Sequence, residues 1–216
     1  MDRIEKANLP ALFEALRDVF TAQREALIEL DGKVGDSDLG ITMNKAFIAA
    51  FESVRNNATD PIGKTLQLAG MAIAKAAPST MGTLVATGFM RGGKALEGAQ
   101  VWDTAEMSAF WAAFFKGVAE RGKAQLGDKT LLDVLSPIAL SLESSSGSGT
   151  SLALALQHAE QAARSGLEAT KAMQAQHGKA ACFQEKTVGL QDAGATVALF
   201  IIETMHAYVV QSRSPT

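Results

Sequence analysis

Cysteine is nearly absent: Cys182 is the single one in 216 residues, so an internal disulfide and a multi-cysteine zinc site are both excluded. That usage fits a reducing compartment, and the ordinary role of a lone Cys182 is a small buried apolar residue. Only five prolines occur, three of which (Pro10, Pro61 and Pro137) fall inside or at the start of helical patterns. Aromatic and β-branched residues are sparse, which argues against a sheet protein. Positive charge is not in excess: the net charge is −3 and the pI near 5.7, so nothing attracts nucleic acid or an acidic membrane broadly, and an anion site has to be built locally. The most apolar run, Thr196 to Val210, is interrupted by Glu203 and His206 and falls short of the ~20 residues of a membrane span. The N-terminal MDRIEKANLP is charged where a secretory signal needs an apolar core, so the expectation is a soluble, cytoplasmic protein. Neither a GxxxxGK[ST] loop nor a GxGxxG after a strand is present, which removes the two commonest nucleotide folds. The three histidines (His158, His177 and His206) are scattered, with no metal spacing and no Ser-His-Asp arrangement.

What is abundant is Ala, Leu, Met, Gln, Glu and Lys, the composition of helices. Apolar residues recur at helical spacing from Leu9 to Leu30, Leu39 to Val54, Pro61 to Ala76, Met81 to Leu96, Thr104 to Gly122, Leu131 to Leu142, Ser151 to Gln174 and Ala195 to Val210. Eight helices in one domain spanning residues 1–216 are therefore predicted, with the last, apolar nearly all round, at the centre. Ser144 to Gly149 reads as a mobile loop or helix connection, and Asp128 as a helix cap.

Chemistry is sought in connections that carry more Gly, Ser, Thr and Asp than a bundle needs: Asp31 to Thr42, Ala77 to Thr83, Gly122 to Leu131, and Gly178 to Gly194. In an up-and-down bundle alternate connections share one end, so these four can converge. The first holds Asp31, Asp36 and Asp38 with Gly32, Gly35 and Gly40. Close carboxylates repel unless a cation neutralises them, and hard ions such as Mg²⁺ take oxygen ligands. A helix starting near Asp38 would add the free amides of Leu39 to Thr42, which suit phosphate. Capping by Asp36 or Asp38 explains either residue singly; the three together favour a metal-bridged phosphate. In the second loop, Ser79 and Thr80 can cap or contact phosphate, and Gly82 allows close approach. Lys179, Lys186 and Asp192 can meet phosphate, ribose or base, or stand as exposed charge.

Four motifs carry a family resemblance: Asp31-x-x-x-Gly35-Asp36-x-Asp38-x-Gly40; Gly82-Thr83-Leu84; Gly127-Asp128-Lys129-Thr130-Leu131-x-Asp133-x-Leu135-x-Pro137; and Gly178-Lys179-Ala180 followed by Glu185-Lys186-Thr187-x-Gly189-x-Gln191-Asp192-x-Gly194-Ala195. Over nearly its whole length the chain resembles the ADP-binding L subunit of dihydroxyacetone kinase, the DhaL family. The resemblance implies a closed barrel of eight antiparallel helices with a nucleotide well at one end. It implies that Asp31, Asp36 and Asp38 hold two Mg²⁺ ions against the phosphates of ADP or ATP. It places nucleotide contacts on Leu39, Gly40, Ile41, Thr42, Thr80, Met81, Gly122, Leu131, Lys179, Asp192, Ala193 and Gly194. Leu39 stands where bacterial members usually have His, Met81 where Ser is usual, Lys179 and Lys186 where Arg is usual, and Ala193 where Pro is usual. By the same resemblance, a partner K subunit would hold a small hydroxy-ketone and a phosphotransferase-system protein could resupply phosphate. The alternatives are a kinase component for another ketose, such as a four-carbon one, and a nucleotide-loaded module that regulates another protein.

Overall fold

The structure, a computed structural model, describes residues 2–212. Nine α-helices are formed among these residues: α1 Leu9–Ala22, α2 Arg24–Gly32, α3 Leu39–Asn56, α4 Ile62–Ala76, α5 Thr80–Ala95, α6 Thr104–Gly122, α7 Leu132–Gly147, α8 Leu152–Ala169 and α9 Ala193–Gln211. A two-residue ribbon, β1 (Ile4–Glu5) antiparallel to β2 (Val101–Trp102), lies below the resolution of any period and was not predicted. The protein is all-α in class, as the composition implies.

The predicted first helix is in fact two. It bends at Gln23 (φ −89°, ψ 5°), two residues after Thr21 turns its hydroxyl back onto the Arg17 carbonyl at 2.8 Å. The apolar stripe runs on across the bend, so periodicity alone reads one helix. The segment predicted as a Ser/Gly connection is largely helical. α7 continues to Gly147, and Ser148 Oγ then caps it by donating to the carbonyls of Ser144 and Ser145, leaving Ser148 to Ser151 as the link. Cys182, expected buried, is exposed.

Eight helices, α1 and α3 to α9, form a ring in which each packs on its neighbour in the chain and α9 returns to α1. They alternate in direction. Thr21 meets Asn44 and Arg17 covers Phe51 between α1 and α3, Gly63 lies against Gly93 between α4 and α5, and Gly166 against Asp133 between α7 and α8. Glu160 and Arg164 of α8 pair with His206 and Glu203 of α9, and Tyr208 near the end of α9 donates to the Asn8 carbonyl at the start of α1. α9 is long and apolar enough to cross a membrane by length and composition, and here it packs against α1, α7 and α8.

The ring is filled by aromatic side chains from several walls. Phe89 of α5 is fully buried and touches Phe13, Phe47, Phe110 and Phe114, with ring centroids 5.7, 6.1, 5.8 and 5.6 Å away. Tilted and edge-to-face pairs at such spacings each add about 0.5–1.5 kcal/mol beyond area burial. Glycines set how closely the α5 and α6 walls approach: a Cβ on Gly88 would stand 2.2 Å from the Phe114 ring, and one on Gly92 2.4 Å from Phe110.

Phe89→Ala should therefore cost about 3–5 kcal/mol, and Gly88→Val about 1–3 kcal/mol or more by overpacking. Urea unfolding checks both: the midpoint should fall at an unchanged slope.

Candidate functional site

Alternation of direction puts the connections before α3, α5, α7 and α9 at one end of the ring, as predicted, and the ribbon and the other connections at the far end. Direct contacts join the four. Lys179 Nζ lies 3.5 Å from Asp36 Oδ2, His177 Nε2 lies 2.8 Å from Asp128 Oδ2, and Gly194 packs beside Met81 Sδ. This end also carries the backbone strain. All four non-glycine residues with left-handed φ among those described, Ser37, Lys123, Lys129 and Gln184, are in these loops. Such conformations cost of order 1–3 kcal/mol each and gather at functional sites.

In the first loop, one carboxylate oxygen from each of Asp31, Asp36 and Asp38 comes within 4.8 Å of the others. Asp31 is half-buried, while Asp36 and Asp38 are exposed. Neither expected cap is used: the side chain of Asp38, at the N-cap of α3, makes no capping bond. Asp31 does the work from the end of α2, its Oδ2 accepting from the amides of Asp38 (3.0 Å) and Leu39 (3.4 Å). Asp36 and Asp38 thus keep their oxygens for something else. Gly35 makes the cluster possible, since a Cβ there would lie 2.2 Å from Asp31 Oδ1. Burial, reinforced by the charges of Asp36 and Asp31 and opposed by Lys179, raises the Asp38 carboxyl above its ordinary value. Three oxygen donors with no nitrogen or sulfur among them fit a hard divalent ion.

The remaining predicted contacts separate into those the site end presents and those it does not. Leu39 and Leu131 are 4% and 3% exposed and belong to the core, so only their backbones are open to a ligand. An apolar residue where the resemblance leads one to expect His is thereby accounted for. The first-turn amides expected to be free are partly engaged: Leu39 N meets Asp31, and Thr42 N bonds the Asp38 carbonyl at 2.9 Å. Gly40 is a packing glycine, its Cβ position 2.0 Å from the Arg24 carbonyl, while Ile41 is exposed. In the second loop Ser79 caps α5 by accepting from Gly82 N at 3.0 Å, which leaves Thr80 exposed and Met81 half-buried at the rim. Gly122 closes α6 against Leu84. Lys179 is exposed beside Asp36.

Asp128 is not the cap of α7. The first amide of α7, Leu132 N, instead donates to Thr130 Oγ1 at 3.2 Å, while Asp133, inside the first turn, folds its carboxylate back onto the loop and accepts from Gly127 N (2.6 Å) and Thr130 N (2.7 Å). Asp128 accepts from Gln125 N and faces His177; the amide bond first, then the imidazole, holds its carboxyl below the usual range. Asp192 caps α9 through Ala195 N at 2.6 Å, with Ala193 and Gly194 opening the helix. Burial pushes the Asp192 carboxyl up to about 6 against the pull of the Ala195 amide and of the Lys129 charge. Lys129, three residues before α7, is only 3% exposed, a burial that no local sequence pattern signals.

The fold is thus that of an all-α helical-ring domain with three carboxylates gathered at one end, beside the starts of several helices. The chain matches the DAK2 domain over residues 33–207, and it belongs to that family. Asp31 lies just before the matched span. It is 35% identical over 188 residues to the ADP-binding subunit DhaL of the PEP-dependent dihydroxyacetone kinase of Escherichia coli, covering 87% of this chain and 90% of that protein. It is 31% identical over 212 residues to the L-erythrulose kinase of Pectobacterium atrosepticum, covering 95% of this chain but 35% of that longer protein. Among solved structures, the dihydroxyacetone kinase of C. freundii in complex with AMP-PNP and Mg²⁺ superposes with a TM-score of 0.69 at 22% identity, over 92% of this chain and 33% of that one. That likeness shows the shared helical fold.

Asp192 gives a pH prediction. Its folded-state value near 6 exceeds the ordinary 3.8, so between these values the folded protein binds the extra proton and its stability declines as pH rises. Asp192→Asn keeps an oxygen for Ala195 N and removes the titration. The stability of the wild type relative to this variant should fall by up to about 3 kcal/mol from pH 4 to pH 7, measured by urea unfolding of both proteins at each pH.

Proposed function

We propose that this chain is the nucleotide-binding subunit of a dihydroxyacetone-type kinase. In this reading it holds ADP or ATP at the loop-bearing end of the ring, with Asp31, Asp36 and Asp38 as ligands for two Mg²⁺ ions. The phosphate passes to a small hydroxy-ketone carried by a partner K subunit, and a phosphotransferase-system protein serves as phosphoryl donor. The observation that carries it is the three-carboxylate cluster, gathered within 4.8 Å at the start of α3, in a chain that aligns with an ADP-binding subunit over 90% of that subunit's length.

Phosphoryl transfer is mostly positioning and charge neutralisation, so a site without a nucleophile of its own is adequate. Bound magnesium supplies the neutralisation of phosphate charge. The chain's own groups do the rest. Asp36 and Asp38 offer carboxylates free of capping duty, Asp31 fixes the start of α3, and Lys179 brings an exposed ammonium to 3.5 Å from Asp36, where it could meet phosphate. Nucleotide contacts then fall on the backbone of Leu39 to Thr42, on Thr80 and Met81, on Gly122 and Leu131, and on Asp192 to Gly194. The ketose identity is a separate matter. The similarity to an L-erythrulose kinase supports a second reading, a four-carbon ketose as acceptor, and the two readings share the same nucleotide end.

Protein purified and denatured should release ADP or ATP, and chelation beforehand should deplete it; absence of nucleotide together with no Mg²⁺-dependent binding on titration would sink both readings. Asp36→Asn should weaken Mg²⁺-dependent ADP binding at least tenfold, about 1.4 kcal/mol, with an unchanged helical circular dichroism spectrum. Asp31→Ala should lose binding and also about 1 kcal/mol of stability, because it removes the acceptor at the α3 N-terminus.

A further inference from the structure

Lys129 is held in an arrangement that the site chemistry described above does not use. Its ammonium is buried and donates to four backbone carbonyls: Leu190 at 2.6 Å, Thr170 at 2.7 Å, Thr187 at 2.8 Å and Met173 at 3.2 Å. An ammonium has three protons, which match the three short contacts and leave the fourth oxygen to share. Two of these carbonyls precede the irregular segment 174–186 and two follow it. One charged group therefore closes the base of that loop from below. The two flanks are also zipped to each other: Gly189 N donates to Lys171 O at 2.7 Å, Ala175 N to Thr187 Oγ1 at 3.0 Å, and Asp192 N to Thr170 Oγ1 at 3.1 Å. Near the start of the segment, Gln176 N donates to Asp128 O and His177 meets the Asp128 carboxylate. Beyond this clasp comes Lys179, 3.5 Å from Asp36, and beyond the base come Asp192 and Gly194 at the start of α9.

We infer that Lys129 is a positioning residue for the nucleotide site: its ammonium fixes both flanks of the 170–192 segment, and so sets where Lys179 and the start of α9 stand relative to the carboxylate cluster. The inference rests on the proposed nucleotide role of that end of the ring. A purely electrostatic role in the fold is a poor account, because a buried ammonium is expensive and its pKa is lowered by burial, only partly offset by Asp192. The carbonyl set resembles the oxygen cage that binds potassium or ammonium as a free ion. Lys129 sits at φ 59°, a conformation glycine adopts without strain, so Lys129→Gly removes the ammonium cleanly and leaves the cage.

The test compares wild type, Lys129→Gly and Lys129→Gln by amide hydrogen exchange and by ADP–Mg²⁺ titration, each in sodium and in ammonium or potassium buffers. In sodium, Lys129→Gly should speed exchange at Ala175, Gly189 and Asp192 at least a hundredfold with the amides of α4 and α5 unchanged, and weaken ADP at least tenfold. Ammonium or potassium should restore both, and Lys129→Gln, which can donate to two of the four carbonyls, should fall between. Unchanged exchange in the segment overturns the inference. So does faster exchange with undiminished ADP affinity, or exchange rising alike across the whole ring. Should Lys129→Gly fail to fold even in ammonium while Lys129→Gln exchanges uniformly faster, the residue is a general fold determinant and the inference is wrong. A wild type that binds no nucleotide ends the proposed function instead, and the exchange arm still reports on the clasp.

Discussion

A closed ring of antiparallel helices imposes one constraint on everything else: alternate connections must share an end. The chain uses the two ends differently. At the far end the links are brief or are pinned by the β1–β2 ribbon, where Ile4 and Trp102 are both fully buried. At the other end lie the connections that carry the acidic cluster, the clasp and every non-glycine left-handed residue described. The aromatic filling around Phe89 makes this possible, since stability comes from the walls and leaves one set of loops free to hold conformations that a stability optimum would avoid.

Within that end, capping is delegated. α3 is capped by a residue of the preceding helix and α9 by Asp192, while Asp133 in the first turn of α7 turns back onto the loop amides of Gly127 and Thr130. Each delegation changes which carboxylates are available. Asp31 gives one oxygen to helix geometry, whereas Asp38 gives none, and the mutual repulsion of the cluster is offset in part by Lys179 beside Asp36. Asp133 and Asp128 are both committed to backbone amides, which separates them chemically from the cluster although they stand at the same end.

Much of this was legible from residue order. The helical segments and their faces follow from apolar spacing, and α6 runs from Thr104 to Gly122 as its stripe predicts, with Asp103 capping its start and Lys123 at φ 55° ending it in the structure. The carboxylates were legible because three acidic residues among three glycines conflict with ordinary turn chemistry. What escaped was information carried by tertiary partners. The bend at Gln23 leaves the apolar stripe in register, the ribbon is two residues long, and the choice of Asp31 over Asp38 as cap depends on a side chain seven residues upstream. Lys129 escaped for a similar reason: four carbonyl acceptors, none within 40 positions in the chain, make its burial tolerable, and no local pattern announces them.

The seam between α1 and α9 has a consequence for how the chain reaches its native state. Every other wall is built from helices adjacent or nearly adjacent in the chain, which favours rapid local assembly. Closure, with Tyr208 meeting Asn8, joins residues about two hundred positions apart. During synthesis, therefore, the inward face of α1, Phe20 included, waits for α9, the most apolar of the described helices. The helix that shields α1 is made some two hundred residues after it, so a chain interrupted before α9 is an open arc of helices with an apolar inner face.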